Sequence, residues 1–234
     1  MLGIKKNIRF TDTDFDEKGN IRASSLMFHF QEIAAEHADQ LGIGYDELIK
    51  DNMIWVMSKL KFKVFGKPAA GRDYELSTYP RPRKGVTYYR DYYLREADGT
   101  LTAAGLSHWC VINFATRKIE RTSLEFDGEY IDHAVFDEGI EKIKPCEPAA
   151  AGVHVVTAED LDINKHTNNC RYADIVSELL GNSAIRSFNI SFVQESRLGD
   201  RILLMREDTD EGSIVTGKLE DGRTVFQAEV RCIM

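Results

Sequence analysis

The strongest constraint on how this chain folds is an internal repeat. Asp14-Phe-Asp-Glu-Lys-Gly-Asn20 and Asp160-Leu-Asp-Ile-Asn-Lys-His166 each stand a few residues before a helical pattern, and each helical pattern is followed by about four strand patterns. Self-similarity on this scale marks a duplicated supersecondary unit. In the first copy Leu26, Phe30, Ile33, Ala34, His37 and Leu41 recur on one helical face, with Gln31, Glu32, Glu36 and Asp39 away from it. Strand patterns follow over residues 54–65, 74–79, 86–95 and 101–114, with Pro68, Pro80 and Pro82 expected at strand ends, where a missing N–H costs little. In the second copy Tyr172, Ile175, Val176, Leu179 and Leu180 recur at helical spacing, Asn168 or Asn169 is placed to cap the helix and Gly181 to end it. Strand patterns then run over 188–192, 201–207 and 213–219. In a last one, Phe226, Ala228, Val230, Cys232 and Met234 alternate with Gln227, Glu229 and Arg231. Asp98-Gly99 and Asp221-Gly222 are hairpin signals. A helix packed in the curve of an antiparallel sheet, twice in tandem, predicts an α+β fold of the double hot-dog type.

The chain has room for this. Its 234 residues are 43% hydrophobic, which supplies two cores and excludes a mostly disordered chain. The formal charge of -8 is unevenly spread: residues 1–125 carry 19 Lys+Arg and 17 Asp+Glu, residues 126–150 carry 2 and 7, and residues 151–234 carry 9 and 14. The middle block holds Asp127, Glu129, Asp132, Asp137, Glu138, Glu141 and Glu147 with Pro145, Pro148 and the run Ala149–Ala151. That composition reads as a linker, so the expected organisation is a first unit over 1–125, a linker over 126–150 and a second unit over 151–234. Net acidity argues against nucleic-acid binding. Cys110, Cys146, Cys170 and Cys232 are widely separated with no C-x-x-C, which predicts free thiols in a reducing compartment. Lys5, Lys6 and Arg9 are followed by Asp12, Asp14 and Asp16 with no apolar run between, unlike a signal peptide. The longest uncharged stretch, 103–116, is too short and polar to span a bilayer. A soluble, cytoplasmic protein without membrane insertion is expected.

The residues that invite chemistry cluster in the second copy. Asp162, Asn164 and His166 alternate, so an extended backbone points all three to one side. The segment enters a helix whose first N–H groups, near Asn168 and Asn169, suit a developing oxyanion. A His near a carboxylate accepts a proton from water near working pH. The same Asp/Asn-rich stretch also reads as a plain turn and cap. Glu195 breaks an apolar stretch just before a turn, as a solvated strand-end carboxylate also would. Ser196 lacks the surroundings of a nucleophile elbow. Cys170, at the helix start, sits where a thiolate is favoured but matches no motif. His29 and His37 lie eight apart, too far to share a metal. His108 and His154 have no evident partner.

These motifs resemble those of the acyl-acyl carrier protein thioesterases, plant and bacterial. The resemblance rests on D-L-D-x-N-x-H-x-N-N over 160–169, Tyr172 three residues on, and Gln194-Glu195-Ser196. In the first half it rests on Ile8-Arg-Phe-Thr-Asp-Thr-Asp14, the Gln31-Glu-Ile-Ala-Ala-Glu-His-Ala38 run, Ile54-Trp-Val-Met-Ser-Lys-Leu60 and Pro80-Arg-Pro-Arg-Lys84. It spans nearly the whole chain. It implies the tandem hot-dog fold and hydrolysis of the thioester joining a fatty acyl chain to carrier protein, with no cofactor or metal. Carried over by position, the catalytic set is Asp162, Asn164, His166 and Glu195. Many plant members have Cys where Ser196 stands, so the resemblance favours attack by water over a thiol nucleophile here. The absence of a plastid transit segment before Ile8 points to a bacterial member.

The first copy holds Asp16, Lys18 and Asn20 where the second holds Asp162, Asn164 and His166, so one active site per chain is expected. By resemblance the first half houses the acyl chain. Met27, Phe28, Phe30, Trp55, Met57 and Trp109 are candidates for its wall, with ordinary core as the alternative. Carrier protein is acidic, so Lys59, Lys61 and Lys63, alternating on one strand, and Arg81, Arg83 and Lys84 near a turn are candidate carrier contacts or, equally, solvated strand edges. An acyl-CoA thioesterase and a non-catalytic acyl-binding hot-dog protein stay open as alternatives, as does a homodimer beside the monomer that a tandem chain permits.

Overall fold

Apolar residues at every second position fix the faces of the strands, and those three and four apart fix the helices. The computed structural model describes residues 2–122, 124, 129–131, 134–137, 139–143, 149–162 and 164–233. Asp127, Asp132, Glu138, Pro145, Cys146, Glu147, Pro148 and Met234, singled out above, lie outside the described residues. In chain order the elements are β1 (Ile4–Arg9), α1 (Ala23–Gln40), α2 (Tyr45–Leu48), β2 (Met53–Val64), β3 (Asp73–Lys84), β4 (Thr87–Arg95), β5 (Leu101–Asn113), β6 (Ala149–Val155), α3 (Asn169–Leu179), β7 (Ile185–Phe192), β8 (Arg201–Thr209), β9 (Gly212–Leu219) and β10 (Thr224–Cys232).

The strands form one sheet in the order β1-β3-β4-β5-β2-β7-β10-β9-β8-β6, with neighbours antiparallel. Read outward from the middle, each half repeats the other: β2-β5-β4-β3-β1 on one side, β7-β10-β9-β8-β6 on the other. The halves join where β2 pairs with β7, and there Phe62 faces Phe188 in register with their rings stacked at 5.5 Å. The predicted α+β double hot-dog is therefore the observed architecture. One apolar cluster runs through both halves, from Phe10, Phe30 and Leu60 to Phe188, Phe226 and Val230.

Each unit carries one long helix. On α1 the buried face is Ala23, Leu26, Met27, Phe30, Ile33, Ala34, His37 and Ala38, and α1 packs beside α3. Both helices end the same way. Gly42 and Gly181 take left-handed φ of 70° and 69°, and the next N–H closes back onto the helix, Ile43 to the Ala38 carbonyl and Asn182 to the Ser177 carbonyl. The edge strands β1 and β6 were not expected from sequence. In β1 the inward positions are Ile4, Lys6 and Ile8, so a Lys interrupts the apolar face, and in β6 every side chain is at least partly exposed; neither offers an unbroken apolar alternation. Pro80 lies within β3 rather than at its end. Pro82 lies within β3 too, and both prolines fall beyond Thr78, where the β1 ladder ends.

The segment read as a linker is not a plain solvated connection. Phe136 and Ile140 pack on Ala104 and Leu106 of β5, forming a second small apolar cluster. The acidic composition hides these anchors because they stand among Asp137 and Glu141. Where α1 meets β5, Gly105 leaves room for Phe30: a Cβ there would lie 2.6 Å from the Phe30 ring, which is itself stacked on Tyr92 at 4.6 Å. Gly105→Ala is therefore expected to lower the free energy of unfolding by about 1–3 kcal/mol, measured by chemical denaturation.

Candidate active site

The two repeated loops fold alike. In the second, Asp160 Oδ2 accepts from the Thr157 N–H (2.8 Å) and hydroxyl (3.1 Å); in the first, Asp14 Oδ2 accepts from the Thr11 N–H (2.8 Å) and hydroxyl (3.1 Å). Asp162 Oδ1 accepts from the N–H groups of Asn164 (2.8 Å) and His166 (3.1 Å), as Asp16 Oδ1 does from Lys18 (2.9 Å) and Asn20 (2.8 Å). The Asp162 N–H donates to the His166 carbonyl, and the Asp16 N–H to the Asn20 carbonyl. Asp162 thus holds main chain. The same bonds in the first loop, which lacks the His, show that this work needs no chemistry.

His166 meets Glu195 instead. Its Nε2 lies 3.2 Å from Glu195 Oε2, and Glu195 Oε1 is in contact with the Arg117 guanidinium. Burial lowers the His166 pKa, with Arg117 and Arg197 adding to the shift and Asp162 opposing it, so the imidazole is neutral at neutral pH. Asn168 caps α3: its side chain accepts from the Cys170 N–H (2.9 Å), and its own N–H donates to the Asp160 carbonyl. No partner for the Asn169 N–H is found among the described residues, so of the two nominated positions Asn169 has the N–H that is left to meet an oxyanion.

These groups open onto a cleft of about 920 Å³, lined by Asp162, Asn164, His166, Asn169 and Glu195 from the second unit and by Gln31, Trp55, Met57, Trp109 and Arg117 from the first. Trp55 and Trp109 also line an adjoining cavity of about 250 Å³ with Ala34, Ala38, Ile43 and Tyr88. Both indoles are fixed: Trp55 Nε1 donates to the Ile43 carbonyl (2.8 Å) and Trp109 Nε1 to Ser107 Oγ (2.6 Å). Met27 and Phe30 are fully buried core, and Phe28 is 50% exposed; neither space is lined by them.

The remaining nominated groups are placed as follows. Ser196 is buried, with Oγ bonded to Thr167 Oγ1 (2.7 Å) and the Tyr172 hydroxyl (2.9 Å), a network suited to packing rather than attack. Cys170 is buried, Gln31 donates to its sulfur, and burial pushes its thiol up to about 12, despite the helix N-terminus. Arg81 is committed to Asp91 through two hydrogen bonds, and Lys61 and Lys63 lie over the Phe136 ring at 5.0 and 5.3 Å. Arg83 and Lys84 are exposed at the β3–β4 turn. Sequence reasoning missed Arg117, which stands in an ordinary-looking turn after β5, and Gln31, which reads as a solvated helix position. Among the described residues, no group of three or more His, Cys, Asp or Glu is arranged to hold a metal, and no helix is long and apolar enough to cross a membrane.

A helix in the curve of a sheet, doubled within one chain, with a His–Glu pair at the seam, defines a double hot-dog protein with a candidate hydrolytic site. Comparison with known proteins narrows the class. The model of the acyl-ACP thioesterase N-terminal domain matches residues 4–130, and that of the C-terminal domain matches residues 146–230. The chain belongs to the acyl-ACP thioesterase family. A chloroplastic dodecanoyl-[acyl-carrier-protein] hydrolase of Cinnamomum camphora is 29% identical over 91% of this chain and 64% of its own length. The chloroplastic oleoyl-acyl carrier protein thioesterase 1 of Arabidopsis thaliana is 23% identical over 82% of this chain and 60% of its own. The chain thus spans about three fifths of the length of these relatives. Two solved structures share the fold. The 12:0-ACP thioesterase from Umbellularia californica has a TM-score of 0.85 at 21% identity, covering 99% of this chain and 97% of that one. An acyl-ACP thioesterase from Bacteroides thetaiotaomicron has 0.82 at 23%, covering 98% and 97%.

Asp160 anchors the loop of His166 electrostatically. Burial alone would raise its pKa, but hydrogen bonds from Thr157, Arg171 and His154 outweigh it and hold the carboxyl at about 2, below the ordinary 3.8. Because the folded value is the lower one, these bonds stabilise the fold fully above the ordinary value and progressively less as pH falls toward 2. Asp160→Asn is expected to cost about 2 kcal/mol at pH 7. The gap to the unmodified protein should close on acidification, read from urea midpoints between pH 2 and 7.

Proposed function

We propose that the chain hydrolyses the thioester joining a fatty acyl chain to acyl carrier protein. The carrying observation is the shared lining: the cleft that holds His166, Glu195 and the Asn169 N–H adjoins a mainly apolar cavity, and Trp55 and Trp109 line both. A thioester carbonyl lies in the cleft while its hydrocarbon enters the cavity. With the His166 Nε2–H donating to Glu195 Oε2, Nδ1 carries the lone pair that takes a proton from water. Asn164 positions that water. Its oxygen bonds to the carbonyl carbon, and the displaced electron pair moves to the oxygen faced by the Asn169 N–H. Collapse breaks the C–S bond, and His166 returns the proton to the departing thiolate. The products are a fatty acid and the free carrier thiol. Both hot-dog units come from one chain, so the reading needs no second copy.

His166→Ala and Glu195→Gln are each expected to lower kcat on acyl-carrier substrate by about 10²- to 10⁴-fold without moving the unfolding midpoint. Near-normal turnover in both would sink the mechanism. In the unmodified protein the acid limb of the rate profile should have its midpoint below 6.5, since the neutral imidazole is the active form. Parallel assays with acyl-CoA decide the carrier: faster turnover of acyl-CoA reassigns the substrate, and acyl binding without hydrolysis of either makes the protein a binder. Ala38 is buried and lines the apolar cavity. Ala38→Phe is expected to shift preference toward shorter acyl chains, and an unchanged chain-length profile would place the hydrocarbon elsewhere.

A further inference from the structure

We infer that Arg117, delivered by the first unit, is a positioning residue for the catalytic pair of the second: its guanidinium clamps the Glu195 carboxylate that holds the His166 ring. The inference rests on the hydrolytic reading of the site. Glu195 bridges the two groups, with Oε1 on Arg117 and Oε2 on His166. A carboxylate beyond the end of β7 has several rotamers, and one oxygen fixed by a planar, permanently charged fork leaves the other aimed at the imidazole.

The turn that carries Arg117 is built to present it. Asn113, the last residue of β5, accepts through its side chain from the N–H groups of Ala115 (3.1 Å) and Thr116 (2.9 Å). Its carbonyl accepts from the Arg117 N–H (2.9 Å), and its N–H donates to the Lys118 carbonyl (2.8 Å). Ile112 and Ile119 then bridge across the turn. Arg117 itself sits at φ 58°, the left-handed region, which is strained for a residue with a side chain. Strain of this kind persists where the surroundings over-determine it, typically at functional sites.

The charges facing His166 come from three loops. Arg117 follows β5, Glu195 and Arg197 follow β7, and Asp162 stands on the loop of His166 itself. After burial, Arg117 is the largest influence keeping the ring neutral, Arg197 acts in the same direction, and Asp162 acts against both. The clamp therefore does two things through one contact: it fixes the partner of the imidazole and disfavours the imidazolium. It also makes the site a joint product of both units.

The test uses the full chain with Arg117→Gln and Arg117→Lys, following the His166 ring by NMR titration and kcat and KM on acyl-carrier substrate across pH. Arg117→Gln should raise the His166 midpoint. It should lower kcat roughly tenfold or more with KM little changed. Arg117→Lys should keep the midpoint near that of the unmodified protein and recover part of the rate. Arg117→Gln combined with Glu195→Gln should cost no more than Glu195→Gln alone, because the arginine acts through that carboxylate. An unmoved midpoint in Arg117→Gln, or losses that multiply in the double variant, overturns the clamp. Should Arg117→Gln not fold, Arg117→Gly, which relieves the left-handed backbone, gives the same readout. If the unmodified protein hydrolyses no thioester but the midpoint moves, the hydrolytic reading fails and the clamp stands. If it hydrolyses and the midpoint does not move, the clamp alone fails.

Discussion

The pairing of β2 with β7 is the interaction on which the rest depends. It joins two five-stranded sheets into one of ten strands, and Phe62 stacked on Phe188 seals the join. Antiparallel pairing at this point also sets which groups meet. β2 brings Trp55 and Met57, and its neighbour β5 brings Trp109 and then the turn of Arg117. β7 brings Glu195 just beyond its end, and the loop before α3 brings His166. The cleft is therefore an interface between halves, lined by residues of both.

Within the second half, structure and reactivity are divided among neighbouring residues. Asp160 ties the loop to Thr157, His154 and Arg171, and Asp162 folds it over its own main chain. Thr167, Tyr172 and Ser196 lock the loop to the end of β7 beneath the surface. Asn164, His166 and Glu195 line the cleft beside them. Of the two carboxylates read from sequence, Asp162 holds main chain and acts on His166 through its charge, while Glu195 meets the ring directly.

The duplication and most of the fold were legible because hydrophobic period survives in the long, half-buried elements: α1, β2, β5 and β10 all announce themselves. The edge strands did not. Six residues with four polar side chains in β1, and the Ala-rich β6, bury too little to leave a pattern. Phe136 and Ile140 were masked by the acidic residues around them. At the site, the alternating Asp162, Asn164 and His166 could be read because they are close in sequence, and Glu195 because a charge interrupts an apolar run. Which carboxylate faces the His ring, and the arrival of Arg117 from a turn 49 residues upstream of His166, depend on the β2–β7 register and leave no local trace. Phe28 and Phe30 show the converse limit: one helix position decides between solvent and core, and neither side chain reaches the cleft.

The two matching loops have one more implication. In an assembly of identical subunits every substitution is made twice, so a change that suits one site is imposed on its twin. Here Asn20 and His166 occupy the same place in the same hydrogen-bonded frame, yet they are separately encoded. The frame fixes backbone and leaves the side chain at that position unspecified. The two copies can therefore carry different side chains there, Asn in one and His in the other, on one and the same backbone frame.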